Sequence, residues 1–159
     1  MPTGSGKKRT DTASRVIAAS PQALYRAFVD PAAIASWRPP QGMKAEIHTF
    51  DPREGGGYRM SFLYTEPDPE VQGKTSDHTD TFEGRFVGLI PGERIVEEID
   101  FVSDDPAFRG TMTITTTFRP VSGGTEVTVV CEDVPEGIGE SDHKAGIASS
   151  LANLAAFVE

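Results

Sequence analysis

The sequence has little of what membrane-spanning or secreted proteins need. No apolar run approaches the roughly 20 residues of a membrane helix, so we expect a soluble protein without a membrane span. Lys7, Lys8 and Arg9 are followed by no apolar segment, so a secretory signal is not predicted. Cys131 is the only cysteine, which excludes an internal disulfide and favours a reducing compartment, the cytoplasm. We expect this thiol to be buried on a strand rather than to act as a nucleophile.

Positive charge is also scarce. The chain carries 24 acidic residues against 15 basic ones, and its net charge is -9 at pH 7. Such a chain repels phosphate backbones, and its basic cluster lies in the first ten residues, so nucleic acid is not an expected partner. A length of 159 residues suits one domain. We divide the chain into a disordered tail, residues 1–11, and a folded domain, residues 12–159.

Helix signals follow a first strand predicted at residues 12–19. Ser20-Pro21 and Asp30-Pro31 each place a capping residue before a proline, and this arrangement begins a helix. The first helix is expected to end near residue 30, and the second to run through Trp37 before two prolines stop it. Two short helices are therefore predicted after strand one.

The middle of the chain has the pattern of a sheet. Met112, Ile114 and Phe118 alternate with threonines, which predicts one buried and one wet face. Turn residues separate six predicted strands, at residues 44–50, 58–65, 79–88, 94–102, 111–119 and 126–132.

A last helix is predicted at residues 141–159, with Ser141 as its N-cap. Its apolar stripe has helical spacing and is expected to lie on the apolar face of the sheet. The whole pattern predicts an α+β fold in which a curved antiparallel sheet of about seven strands wraps a C-terminal helix and encloses a small-molecule-sized cavity.

Several short motifs occur in an order that resembles a known family. They are Ile17-Ala18-Ala19-Ser20-Pro21, Leu24-Tyr25-Arg26-Ala27-Phe28, Ile34-Ala35-Ser36-Trp37, Glu54-Gly55-Gly56-Gly57-Tyr58, Phe82-Glu83-Gly84-Arg85-Phe86 and Pro91-Gly92-Glu93-Arg94-Ile95-Val96. Together they resemble the activator of heat-shock protein 90 ATPase homologue (AHSA-type) branch of the START-like, SRPBCC or birch-pollen-allergen-like superfamily, over residues 12–159. The resemblance implies the helix-grip fold and binding of a hydrophobic ligand.

The chain departs from the family pattern at two places. Family members commonly carry Gly-Trp in the last helix, where this chain has Gly146-Ile147, and we expect the smaller side chain to widen the pocket. Residues 66–77 form a longer, acidic loop that we expect to cover the pocket. Because the superfamily includes lipid carriers, polyketide cyclases and hormone receptors, the fold alone does not choose the function.

The predicted ligand-binding residues are mainly apolar side chains that should point into the space between the sheet and the last helix. Alternation along the strands selects most of them, and helical spacing selects the two on the last helix. They are Phe62, Tyr64, Phe82, Phe86, Ile99, Met112, Ile114, Ile147 and Leu151. Plain core packing would require the same alternation, so this alternative stays open for each of them. Trp37 is a further candidate, either as a ligand platform or, as we favour, as a hydrophobic plug whose indole N–H needs a partner.

Glu97 is the candidate with the most chemical content. It shares parity with Ile95 and Ile99, which makes an inward position one of two orientations that the sequence leaves open. Burial there would raise the pKa of its carboxyl unless a cation or a hydrogen-bond donor met it, and such a group orients a ligand or acts as an acid or base. The opposite face of the strand is only modestly more polar, and a bulge would reverse the two faces, so an outward Glu97 is the alternative.

The remaining polar motifs predict no catalytic or metal site. His48, His78 and His143 have no metal-ligand spacing, and neither a metal nor another cofactor is predicted. We expect His143 to be solvated at a helix start, and a place at the mouth of the pocket is the alternative. The glycines at residues 55–57 lead into a strand, so they indicate a hairpin turn rather than a phosphate loop. Ser141 lacks a nucleophile elbow, which argues against a hydrolase triad.

Three functional hypotheses follow. The first is a binding protein for a small hydrophobic or amphipathic molecule, such as a lipid. The second is a polyketide-cyclase-like enzyme that uses the same cavity with Glu97 as acid or base, although a non-enzymatic role is favoured. The third is a chaperone cofactor or stress-response interaction module, as the family's name suggests. An exposed sheet edge would support a homodimer, but the sequence leaves the oligomeric state open.

Overall fold

A computed structural model describes residues 9–39, 42–64, 79–103 and 105–159, with the side chains of residues 64 and 79 excepted. The elements are β1 (Arg9–Ile17), α1 (Pro21–Val29), α2 (Pro31–Trp37), β2 (Met43–Phe50), β3 (Gly57–Tyr64), β4 (Thr79–Ile90), β5 (Arg94–Phe101), a single 3-10 turn (Pro106–Phe108), β6 (Met112–Val121), β7 (Gly124–Val134) and α3 (Glu140–Val158).

The strands form one antiparallel sheet of seven strands in the order β1-β7-β6-β5-β4-β3-β2. Strands β2 to β7 are a meander in which each strand pairs with the next, and β1 pairs with β7. The predicted α+β class is confirmed, with a curved sheet, two short helices after the first strand and a C-terminal helix. None of the helices in the described ranges has the length and apolar character that crossing a membrane would require.

The two short helices begin where the sequence predicts. Ser20 Oγ accepts a hydrogen bond from the Ala23 backbone N–H at 3.1 Å, and Asp30 Oδ1 accepts one from the Ala32 N–H at 3.0 Å. Each cap satisfies one backbone donor that the first turn of a helix leaves unpaired, and the following proline has no such donor.

Most strand ends differ from the predictions by one or two residues, and two differences at the start of an element need comment. Strand β1 begins at Arg9, three residues before the predicted strand, so the last part of the predicted 1–11 tail belongs to the sheet and residues 1–8 lie outside the described residues. The N-cap of α3 is Gly139 and not Ser141, which lies inside the first turn. The start of α3 has no side-chain cap, but Glu140 and Asp142 place negative charge near its N-terminus, where the helix dipole favours it.

The core lies between the concave face of the sheet and the helices. Buried apolar residues of β1, of β3 to β7 and of the three helices form it, and Ile147, Leu151 and Leu154 are among the buried residues of α3. On β5, Ile95, Glu97 and Ile99 are all at most 1% exposed. The nearby irregularity lies on β4, between Phe86 and Gly88, so the alternation along β5 is intact and Glu97 faces inward, one of the two orientations left open by the sequence.

Candidate functional site: a cavity between the sheet and the last helix

A cavity of about 640 Å³ lies between the concave face of the sheet and α3. Strands β3 to β7 form one wall, α3 forms the opposite wall, and the end of α2 and the 3-10 turn complete it. Most of the lining side chains are apolar. The polar lining side chains described are Arg38, Asp80, Glu97, Thr116, Cys131, Asp142, His143, Ser149 and Ser150.

Most of the predicted ligand-binding residues line this cavity. They are Trp37, Phe62, Phe82, Glu97, Ile99, Met112, Ile114, Ile147 and Leu151. The side chain of Tyr64 and the loop of residues 66–77 lie outside the described residues. Gly146 also lines the cavity beside Ile147, so the departure from the family's Gly-Trp pattern falls on the cavity wall.

Phe86 is the exception, because it does not line the cavity. Its ring is 1% exposed and packs against the rings of Phe50, at 5.8 Å, and Tyr58, at 5.4 Å. The alternation on β4 correctly predicts that Phe86 points inward, but neighbouring aromatic rings fill the space in front of it. Phe86 is therefore a core residue and not a wall residue.

Trp37 is buried and its polar group is satisfied. Its indole Nε1–H donates to the carbonyl of Ala27 at 2.9 Å, and its ring packs on Phe28 with centroids 4.6 Å apart. These contacts fit the plug that the sequence favours, and the indole also forms part of the cavity wall.

Arg38, Tyr58 and Glu97 form a buried polar cluster beside the cavity. Arg38 Nη1 donates to Glu97 Oε1 at 3.0 Å, and the Tyr58 hydroxyl donates to the same oxygen at 2.5 Å. Arg38 Nη2 lies 3.4 Å from the Tyr58 hydroxyl, and its guanidinium carbon lies 5.5 Å from the centre of the Tyr58 ring. Glu97 therefore meets both a cation and a hydrogen-bond donor, the two conditions under which a carboxylate tolerates burial.

Burial and charge fix the protonation states of the partners of Glu97. Burial raises the pKa of Tyr58 well above its ordinary value, so its phenol stays protonated and donates. Burial alone would lower the pKa of Arg38, but the charges and hydrogen bonds of Glu97 and Tyr58 together outweigh burial, and the pKa is raised. The guanidinium is therefore positively charged at every physiological pH.

The position of Arg38 depends on α3. Arg38 follows the last residue of α2, and Ser150 Oγ donates to the Arg38 carbonyl at 2.7 Å. One turn further along α3, Asn153 Nδ2 donates to the carbonyl of Pro39 at 2.9 Å. These two bonds hold the end of α2 against α3, and this places the guanidinium at the sheet.

The position of Tyr58 depends on a glycine. Gly84 on β4 pairs with Tyr58 on β3, and the Tyr58 ring lies across the Gly84 backbone. A Cβ atom at residue 84 would collide with the ring carbons and the hydroxyl of Tyr58. The absence of a side chain at Gly84 therefore lets the hydroxyl reach Glu97 on β5.

A second charged cluster joins β1 to the beginning of α3. Asp11 is fully buried, accepts hydrogen bonds from Arg9 at 2.8 and 3.0 Å, and lies 2.7 Å from His143 Nδ1. Burial would raise the pKa of Asp11, but the hydrogen bonds and charges of Arg9 and His143 outweigh burial and lower it. The prediction that His143 is merely solvated is wrong, because its ring contacts Asp11 and lines the cavity.

The other residues that the sequence offers for catalysis or metal binding form no reactive site among the described residues. Burial raises the pKa of the Cys131 thiol to about 12, so it is protonated and not a nucleophile. His48 Nε2 lies 2.9 Å from Ser61 Oγ, and the glycines at 55–57 turn from β2 into β3. His78 is outside the described residues. Within the described ranges, no group of three or more His, Cys, Asp or Glu side chains is placed to hold a metal ion.

Sequence reasoning did not find Arg38, Asp80, Thr116 or the contact between Asp11 and His143. The one available signal was the inward Glu97, because a buried carboxylate requires a cation. That requirement does not say which of the chain's 15 basic residues supplies it. Asp11 and His143 are separated by 132 positions, and no local pattern joins them.

Comparison with known proteins decides the family. The model of the family "Activator of Hsp90 ATPase homolog 1-like protein" matches residues 18–159. The chain belongs to this family. The resemblance seen in its motifs and the helix-grip fold of the START-like superfamily are both confirmed. A search of curated proteins gave no match.

Solved structures agree with this membership. Protein CV1439 from Chromobacterium violaceum is 38% identical, with a TM-score of 0.83 over 94% of this chain and 96% of that one. A protein from Rhodobacter sphaeroides has 23% identity and a TM-score of 0.73, over 98% and 94% of the two chains. An AHSA1-like protein from Aeromonas hydrophila has 18% identity and a TM-score of 0.71, over 94% and 92%. The last two comparisons, at 23% and 18% identity, show only that the fold is shared.

Proposed function

We propose that this member of the AHSA1-like family binds a small hydrophobic or amphipathic molecule, such as a lipid, in the cavity between the sheet and α3. The observation that carries the proposal is the cavity itself, with a volume of about 640 Å³ and a mainly apolar lining. Small-molecule sites in proteins are typically about 300–1,000 Å³ and are apolar with a few polar groups that orient the ligand. Arg38 and Glu97 of the buried cluster line the cavity and supply such polar groups.

The contacts of Glu97 favour binding over acid–base chemistry. A general acid or base must exchange a proton with a substrate, and an interior carboxylate without a cationic partner would have suited that task. Glu97 instead accepts hydrogen bonds from Arg38 and Tyr58 on the same oxygen. Its geometry therefore supports a role in fixing the cavity and its charge, and gives less support to a polyketide-cyclase-like reaction.

The experiment is a titration with Nile red, an uncharged apolar dye whose emission rises in an apolar site. We expect saturable binding to the wild-type protein. Met112→Trp adds bulk to a buried wall residue, so it should weaken dye binding by about tenfold or more while thermal unfolding stays cooperative. The matched control is Val16→Trp, which adds an indole to a side chain that is 51% exposed and outside the cavity. Absence of saturable binding by the wild type, both of Nile red and of the ten-carbon probes described below, would refute the proposal.

The proposal extends to the location of the protein in the cell and to its protein partners. A ligand carrier with a single, buried thiol is suited to the cytoplasm. The family's name refers to activation of a chaperone ATPase, and a pull-down of the chaperone with stimulation of its ATPase tests whether that role extends to this chain. Sedimentation of the purified protein tests the homodimer. Neither the chaperone role nor the homodimer has a contact among the described residues that favours it over ligand binding.

A further inference from the structure

Thr116 carries an unsatisfied hydroxyl group in the cavity wall. The residue is 1% exposed, and its Oγ1 has no hydrogen-bond partner among the residues that the structure describes. Buried hydroxyl groups are nearly always hydrogen-bonded, because an unmade bond leaves the cost of losing water uncompensated. Since Thr116 lines the cavity, a ligand there is placed to supply the missing partner.

The position of Thr116 brings this hydroxyl near the polar cluster. Thr116 on β6 pairs with Ile95 on β5, and Ile114 pairs with Glu97, so Thr116 and Glu97 are diagonal neighbours on one face of the sheet. Diagonal neighbours of this kind are about 7–8 Å apart. A ligand group bonded to Thr116 Oγ1 would therefore lie beside the Arg38–Glu97 pair.

The charge at this end of the cavity selects against an anion. Among the described residues that line the cavity, Arg38 is the only arginine or lysine, and its guanidinium already binds Glu97 at 3.0 Å. A ligand carboxylate entering this end would have to compete with Glu97 for the same cation or remain buried without one. A hydroxyl or carbonyl oxygen has no such penalty and pairs with a threonine hydroxyl.

We propose that the ligand of this cavity is an amphipathic molecule whose polar end is an uncharged oxygen, a hydroxyl or a carbonyl, bound by Thr116 Oγ1 beside the Arg38–Glu97 pair. The apolar body of the ligand lies between Ile99 and Met112 on the sheet and Ile147 on α3. This inference rests on the proposed binding function and adds the chemical class of the ligand. It implies discrimination between molecules that share a chain and differ only in the terminal group.

The test compares decanol with decanoate by isothermal titration calorimetry at neutral pH. The two probes have the same chain length, so the apolar contribution to binding is matched. We expect decanol to bind the wild-type protein about tenfold more tightly than decanoate, or better, because the carboxylate would be buried without a free cation. Equal affinities, or tighter binding of decanoate, would overturn the inference.

Three variants isolate the hydroxyl. Thr116→Val keeps the shape and removes the donor, so decanol should bind about fivefold more weakly. Thr116→Ser retains the hydroxyl and should recover affinity to within about twofold of the wild type. Thr117→Val makes the same change on the neighbouring residue, which does not line the cavity, and should leave decanol binding unchanged. A Thr116→Val protein that binds decanol as the wild type does would overturn the inference.

The outcomes separate this inference from the proposed function. Nile red binding without a preference for decanol refutes the inference and leaves ligand binding in place. Nile red binding without any decanol binding also refutes it. Failure of Nile red, decanol and decanoate alike refutes the proposed function, and the inference with it. If Thr116→Val does not fold, the comparison of the two probes on the wild-type protein still decides.

Discussion

Arg38 and Glu97 are joined by a hydrogen-bonded ion pair of 3.0 Å between the end of α2 and the middle of β5. The pair lies below the surface, with side-chain exposures of 12% for Arg38 and 1% for Glu97. Two charges removed from water stabilise a fold only when each finds the other and the remaining hydrogen bonds are made. Tyr58 supplies one of those bonds, so it supports the two residues of the pair, which line the cavity.

Replacing Arg38 alone should be strongly destabilising. Arg38→Met leaves Glu97 buried without a cation, and the free energy of unfolding should fall by about 3–5 kcal/mol in urea unfolding experiments. The double variant Arg38→Met/Glu97→Leu should recover much of that loss, because no charge remains unpaired. The control is Arg59→Met, which breaks an exposed pair with Glu83 and should cost at most about 1 kcal/mol. Equal effects of the two single variants would contradict the assignment.

Gly84→Ala should destabilise the protein even though alanine suits a strand better than glycine. The added methyl group would collide with the Tyr58 ring, and overpacking of this kind costs about 1–3 kcal/mol. Gly88→Ala on the same strand is the control, because its nearest neighbour would be Val96 Cγ2 at 3.6 Å, an ordinary contact. Thermal unfolding of the two variants measures the difference. A Gly84→Ala protein as stable as Gly88→Ala would show that Tyr58 does not need this space.

The contact of Asp11 with Arg9 and His143 should make stability depend on pH in the acid range. The pKa of Asp11 is lowered in the folded protein, whereas an unfolded aspartate has a pKa of about 3.9. The stabilisation is therefore complete above about pH 4 and is lost as the pH falls through the lower, folded pKa. Asp11→Asn lacks this contribution and should be less stable at neutral pH by about 1.5–3 kcal/mol.

Urea unfolding of the wild type and of Asp11→Asn over a pH series, at constant ionic strength, measures this dependence. The two free energies of unfolding should converge as the pH falls below about 4. A difference that stays constant into strong acid would mean that the Asp11 carboxylate is not stabilised in the folded protein.

The thiol of Cys131 should be unreactive in the native protein. With a pKa of about 12, only about one molecule in a hundred thousand carries the thiolate at neutral pH, and the residue is 1% exposed. A colorimetric disulfide reagent should therefore react slowly with the native protein and rapidly in denaturant. Because Cys131 lines the cavity, a bound apolar ligand should slow the native reaction further. Rapid labelling of the native protein would place the thiol in a more open environment.

Local patterns predicted the fold well because helix starts and the buried faces of strands depend on residues that are close together in the sequence. Ser20-Pro21 and Asp30-Pro31 determine where helices begin through bonds that span two or three residues. The alternation of Met112 and Ile114 determines which face of β6 is buried, since side chains on a strand alternate regardless of what lies opposite. The same rule placed Glu97 and most of the predicted wall residues toward the cavity.

The rest of the site depends on contacts that no local pattern contains. Arg38 reaches Glu97 because α3 holds the end of α2. The bond that does this joins Ser150 to the carbonyl of Arg38, and these two residues are 112 positions apart. Phe86 has the parity of a wall residue, yet the rings of Phe50 and Tyr58 occupy the space before it. The alternation along a strand gives the direction of a side chain. Whether empty space remains in front of that side chain depends on how all the neighbouring elements pack.

Both ends of α3 are bonded to β1 or to the residue that follows it, and this has a consequence for the order of folding. His143 near the start of α3 contacts Asp11, and Glu159 after its end accepts a hydrogen bond from the Ala18 backbone N–H at 3.1 Å, across 141 positions. A chain emerging from the ribosome exposes the apolar concave face of the sheet until α3 has been synthesised. Because the cavity needs α3 as its second wall, we expect it to form after the sheet, and contacts of such long sequence separation favour slow folding.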